Sequence, residues 1–175
     1  MKKQPRILLF TGNGKGKPTA ALGMVLRASG HGLRVLVLQF IKDGVGTGEI
    51  RALRGLPNVE VEVHGLGFLP PRSLYDLAAH RVAAQHGLER AAAALAAGQY
   101  EMLVLDEICL AVAKGLLDER EVIDLVTAAP AACTVVLTGR GASKELKAVA
   151  DTVTEMRCVK HGMQKRIPAQ KGVEF

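Results

Sequence analysis

The stretch Ile7-Leu8-Leu9-Phe10-Thr11-Gly12-Asn13-Gly14-Lys15-Gly16-Lys17-Pro18-Thr19-Ala20-Ala21-Leu22 decides the fold. An apolar run, residues 7–10, meets a glycine-rich loop, 11–19, that opens into a helix-forming run, 19–30. In such a strand–loop–helix the glycines let backbone N–H groups turn inward on an anion, and the helix N-terminus and a lysine add positive potential. A nucleotide phosphate chain is therefore expected on residues Gly12 to Lys17 and Thr19. The loop departs from the common Gly-x-x-x-x-Gly-Lys-Ser/Thr signature at Thr11, where glycine stands, and at Pro18, where a hydroxyl residue stands. Proline has neither the hydroxyl that meets Mg²⁺ nor an N–H for a phosphate, and it biases Lys17 away from helical geometry. Read instead as a first-turn residue, Pro18 leaves Thr19 to supply the hydroxyl.

Working outward, short apolar runs recur at 34–40, 59–63, 102–105, 134–137 and, less clearly, 152–156. Most lack strict alternation, which suits strands covered on both faces. Helical stretches at 48–54, 74–97, 118–128 and 143–150 lie between them. This alternation predicts an α/β fold of three layers with a mainly parallel sheet. The alanine-rich part of the third helix, 78–97, reads as a surface scaffold closed by Gly98. Gly/Pro-rich turns punctuate the elements without forming a linker, so residues 1–175 read as a single domain with 157–175 as an irregular C-terminal segment. That segment carries Lys160, His161, Lys165, Arg166 and Lys171, a charge run that reads as a solvated tail.

With 49% apolar and 23% charged residues, the chain is expected to fold rather than stay disordered. The net charge of +6 permits an anionic partner, but four Phe, two Tyr and no Trp offer few stacking platforms. A nucleotide satisfies that charge as well as a nucleic acid does, and no nucleic-acid partner is expected. Cys109, Cys133 and Cys158 form no Cys-x-x-Cys pair and read as buried thiols of a reducing cytoplasm. The five histidines lack the spacing of a zinc site. The basic N-terminus precedes only four apolar residues, so neither a signal peptide nor a membrane span is expected there.

Met102-Leu103-Val104-Leu105-Asp106-Glu107 is an apolar strand that ends in two carboxylates. Next to a phosphate loop, such a pair suits a Mg²⁺ (or Mn²⁺) ion whose shell phosphate oxygens complete. Cys109 stands two places on, either as a site residue or as a small packing residue.

Together with Ala20-Ala21-Leu22-Gly23, Gln39-Phe40-Ile41-Lys42, Thr47-Gly48-Glu49, Leu105-Asp106-Glu107 and Leu137-Thr138-Gly139-Arg140-Gly141-Ala142, the loop resembles that of the ATP:corrinoid adenosyltransferases with a P-loop fold. The closing segments Ala150 to Met156, Val159-Lys160-His161 and Ala169 to Phe175 carry the same resemblance to the chain end. It implies a RecA-like, usually homodimeric protein that moves the 5′-deoxyadenosyl group of ATP to the Co(I) of a corrinoid and releases tripolyphosphate. A flavin-type protein is an implied source of the reduced cobalt. Co(I) is then the nucleophile, and no catalytic side chain is required. Lys42 and Phe68 join the binding residues, and Glu107 with Asp106 hold the metal.

The chain departs from that family at Pro18, where threonine is usual, and at Cys109, where asparagine is usual. In the corrinoid-facing segment Gly65-Leu66-Gly67-Phe68-Leu69-Pro70, only Phe68 matches among the acid, aromatic, threonine and tryptophan of the family pattern. These changes fit either an enzyme preferring corrinoids without a lower ligand or a weakly active member that binds without turning over.

Overall fold

The computed structural model describes residues 4–44, 47–67 and 74–173, with residues 74–76 by their backbone alone. Phe68 lies outside the described residues. The strands β1 (Arg6–Thr11), β2 (Val35–Gln39), β3 (Val59–Val63), β4 (Met102–Asp106), β5 (Thr134–Thr138) and β6 (Thr152–Glu155) form one sheet in the order β3-β2-β4-β5-β1-β6. All of its pairings are parallel. Between them run α1 (Lys17–Gly30), α2 (Gly48–Arg54), α3 (Leu74–Ala97), α4 (Ile108–Ala113), α5 (Glu119–Thr127) and α6 (Lys144–Val149).

Alternation along the central strands builds the three layers. Val35, Val37, Met102, Val104 and Val136 face α1 and α2, where Ala21, Val25, Ala28 and Leu53 close over them. Leu36, Leu38, Leu103, Leu105, Val135 and Leu137 face the other way, toward residues of α3 to α6 such as Leu88, Ile108, Val122 and Leu146. β2 and β4 are buried at every position, as strands covered on both sides must be.

The edges differ. β6 is exposed along its whole length, so its apolar pattern does not mark burial on two faces. β3 alternates Val with Glu60 and Glu62, which Arg90 of α3 holds from outside, its Nε donating to Glu62 Oε1 at 2.7 Å. Charge on an edge strand also discourages pairing with another chain.

The third helix is more than a surface scaffold. Ala84, Leu88, Ala91, Ala94 and Leu95 are buried as a stripe at helical spacing. Gly87 lets this face approach the sheet: a Cβ there would stand 2.9 Å from the Phe40 ring and 3.2 Å from His64. Pro18 does not displace Lys17 from the helix. Lys17 is the first residue of α1, and Ala20 N–H donates to Gly16 O at 2.8 Å. First-turn N–H groups have no intrahelical acceptor, so Pro18 removes no helical bond. The short helix α4, unanticipated from sequence, follows β4 without a turn signal. Its apolar residues Ile108, Cys109 and Ala111 are buried.

Candidate nucleotide-binding site

Because the strands are parallel, the residues following β1, β2, β4 and β5 emerge together at the carboxyl ends of the strands, where ligands of open α/β sheets bind. The loop after β1 turns on Gly12 (φ +93°) and Gly16 (φ +113°). Lys17 is only 4% exposed, and its Nζ donates to Gly14 O at 2.8 Å, across the mouth of the loop. Burial lowers its pKa; Glu107 acts against that and Arg140 adds to it.

The outer side of the loop is braced by the extension of β6. Met156 N–H donates to Thr11 O at 2.9 Å, and Gly14 N–H donates to Met156 O at 2.7 Å. A Cβ on Gly12 would fall 2.4 Å from Met156 O, and one on Gly14 2.8 Å from the Arg157 carbonyl. Glycine is required at both positions by a neighbouring backbone, and at Gly12 by its dihedral angle as well.

The acidic pair is held by polar side chains from the flanking strands. Asp106 is 2% exposed; its Oδ1 accepts from Thr138 Oγ1 at 2.7 Å and its Oδ2 from Gln39 Nε2 at 3.1 Å. Thr138 Oγ1 in turn accepts the Glu107 N–H at 2.8 Å. β5 lies between the phosphate-loop strand and the acidic strand, so its terminal threonine can hold both the Asp106 carboxylate and the Glu107 backbone N–H. Glu107 caps α4 in the left-handed region, φ +63°. Its Oε2 is buried without a hydrogen-bond partner. Burial raises the Glu107 pKa, helped by the Asp106 charge and opposed by Lys17, Lys42 and Arg140. A buried acceptor oxygen without a donor fits a cation.

Among the described residues, no three His, Cys, Asp or Glu side chains cluster as a metal-holding group. Two carboxylates, with one oxygen open, suit Mg²⁺ bound largely through water and phosphate oxygens.

Glu107 and residues 13–19 line a cleft of about 790 Å³. Its polar wall comprises residues 13–17, the exposed Thr19, Lys42, Glu107 and Arg140, while Leu22, Leu26, Ala52, Leu53 and Leu56 form an apolar wall. Lys42 pairs with Glu49 at 3.1 Å. Burial acts to raise the Glu49 pKa, but its own backbone, Lys42 and Lys15 outweigh that and hold it below the ordinary value. The structure thus gathers into one cleft residues 13–17, Thr19, Lys42 and Glu107, while Gly12 and the buried Asp106 do not line it.

Arg140, Glu49 and the tail residue His161 also line the cleft. Sequence reasoning had assigned Arg140 and Glu49 no role beyond their motifs. Arg140 sits between Gly139 (φ +138°) and Gly141 (φ +75°), directly after the end of β5.

Cys109 is fully buried, with its thiol pushed up to about 12 by burial first and by Glu107 second. It is a packing residue: a Cβ on Gly139 would lie 3.0 Å from its own Cβ. Cys133 is buried as expected, whereas Cys158 is exposed.

The sheet order, phosphate loop and acidic strand define a P-loop protein of the RecA-like kind. The KaiC-like protein PH0186 from Pyrococcus horikoshii shares the fold, with a TM-score of 0.56 at 16% identity over 87% of this chain and 71% of that one. The profile described as ATP:corrinoid adenosyltransferase BtuR/CobO/CobP matches residues 3–175, and the chain belongs to that family. It is 43% identical to a corrinoid adenosyltransferase of Pseudomonas aeruginosa, over 97% of this chain and 83% of the relative. To the corrinoid adenosyltransferase CobA of Salmonella typhimurium it is 42% identical, over 97% and 85% respectively.

Proposed function

We propose that this protein transfers the 5′-deoxyadenosyl group of ATP to a Co(I) corrinoid. The cobalt electron pair forms the bond to C5′, the C5′–O5′ bond breaks, and tripolyphosphate leaves with the electrons of that broken bond on O5′. Since cobalt is the nucleophile, the protein's contribution is orientation and stabilisation of the leaving group. The observation that carries the reading is the single cleft joining the phosphate loop, the partnerless Glu107 oxygen and an apolar wall.

Gly12, Asn13, Gly14, Lys15, Gly16 and Lys17 would cradle the triphosphate, but the Gly14 contribution would come through its shape, because its N–H is engaged by Met156. Lys42 and Arg140 would add charge, with Lys42 leaving Glu49 as phosphate arrives. Glu107, oriented with Asp106 through Thr138, would hold Mg²⁺, and Thr19 would replace the hydroxyl missing at Pro18. When bound, the ion neutralises phosphate charge. Phe68 would meet the corrinoid.

We further infer a homodimer of a single-domain chain in a reducing cytoplasm, supplied with Co(I) by a flavin-type reductant. Among the described residues, no helix is long and apolar enough to cross a membrane.

The decisive assay is anaerobic turnover of MgATP with Co(I) cobalamin and Co(I) cobinamide, by wild type and Pro18→Thr. Wild-type formation of the adenosyl–cobalt product is expected, faster with cobinamide, since the altered 65–70 segment would no longer displace a lower ligand. Pro18→Thr should tighten MgATP about tenfold, or ~1.4 kcal/mol. No product from either protein would overturn the transferase reading.

A further inference from the structure

Beyond β6 the chain turns back toward the phosphate loop. Residues 157–173 are exposed, yet His161, Gly172 and Val173 line the same cleft as the residues of that loop. His161 is held in place: its Nδ1 accepts the Met163 N–H at 3.1 Å, capping the short 3₁₀ turn Gly162–Lys165. A backbone N–H can only donate, so Nδ1 is the bare nitrogen and the neutral ring carries its proton on Nε2. A hydrogen bond at one ring nitrogen thereby sets both the ring orientation and the chemistry of the other. The unclaimed nitrogen is a donor.

We propose that His161 is a phosphate-binding residue, donating from Nε2–H to a triphosphate oxygen of ATP; the inference rests on the ATP reading above. His161 lines the same cleft as Lys15, Lys17, Lys42 and Arg140, four cations that draw an anion into it. A neutral N–H there adds a directed hydrogen bond without crowding another cation among them. The delivery is built into the chain: Met156 braces the phosphate loop through Gly14, and His161 follows five residues later. The segment that sets the shape of the loop thus also brings a donor to its ligand.

Two substitutions separate the contact from the cap. His161→Asn keeps a short acceptor suited to an N-cap but has no atom at the Nε2 position. His161→Gln extends an amide N–H₂ to about the reach of Nε2. Calorimetric affinities for MgATP, tripolyphosphate and adenosine are the readout. The Asn variant should bind MgATP and tripolyphosphate 5- to 10-fold more weakly, about 1–1.4 kcal/mol. Adenosine binding should not change, and Gln should recover part of the loss.

In wild type, MgATP should also slow trypsin cleavage after Lys160, Lys165 and Arg166, and this protection should shrink in the Asn variant. Tripolyphosphate binding by the Asn variant as tight as wild type would overturn the inference, as would a loss confined to adenosine. Wild-type protein that binds neither ATP nor tripolyphosphate would overturn the ATP reading itself, and the inference with it.

Discussion

Glu107 carries two destabilising features at once. Its left-handed backbone, φ +63°, costs of order 1–3 kcal/mol for a residue with a side chain. The Oε2 of its half-buried side chain is also buried and unpartnered, and burial lifts its pKa above the ordinary 4.5. As pH rises through 4.5, the unfolded chain releases this proton first and the folded chain keeps it until the higher value is reached. Stability from this group therefore falls with rising pH across that window and stays lowered above it. Glu107→Gln should match wild type in Tm near pH 4, gain on it as pH rises, and hold a constant lead at neutral pH. The same variant should lose the Mg²⁺ dependence of ATP binding. A thermal-shift series from pH 4 to 8, with and without MgATP, checks both; a variant less stable than wild type at neutral pH would contradict the account. The acidic pair was visible in the sequence because two carboxylates ended an apolar run. Thr138 and Gln39, which orient it, were named only inside family-like motifs, because a polar residue at a strand end has no periodicity to betray its partner.

The contact between the phosphate loop and the extension of β6 sets what the loop tolerates. Gly12→Ala would place a Cβ 2.4 Å from Met156 O at φ +93°, so the loop or the strand must move. A loss of at least ~1–2 kcal/mol is expected, read as a drop in denaturation midpoint at unchanged m-value, together with weaker ATP binding. Gly23, inside α1, has no heavy atom within 4 Å of its Cβ position. Gly23→Ala should instead stabilise by about 0.5–1 kcal/mol through helix propensity. Equal responses of the two variants would show that the brace is not what demands glycine. Element types were legible because the chain's periods are clear: β2 and β4 as unbroken apolar runs, α5 through its buried Val122 and Val126. The six residues of α4 were hidden because their apolar run follows β4 without punctuation, the break being made by the backbone of Glu107 itself. The tail was read as solvated because it has no period, and exposed it is; its role follows from where β6 points it, which no local pattern records.

At the scale of the molecule, the cleft couples binding to stability. ATP at a hundred times its Kd should add about 2.7 kcal/mol, shifting Tm by roughly 5–11 °C for a chain of this size. A scan of Tm against MgATP concentration reads this directly, and a flat response would show that the cleft does not take the nucleotide. The α/β class and parallel sheet were legible from alternating elements, and the family from motifs spread along the chain; the strand order was not, since loops do not record which strands become neighbours. That order has a consequence for how the protein is made. β1, made before the other strands of this sheet, is flanked in it by β5 and β6, the two made latest. At about 5–20 residues per second, the strand carrying the phosphate loop waits roughly 7–30 s for its partners. A nascent chain therefore carries an unpaired apolar segment until β5 and β6 have been made, a natural target for chaperones, and the phosphate loop gains its brace only when the extension of β6 arrives.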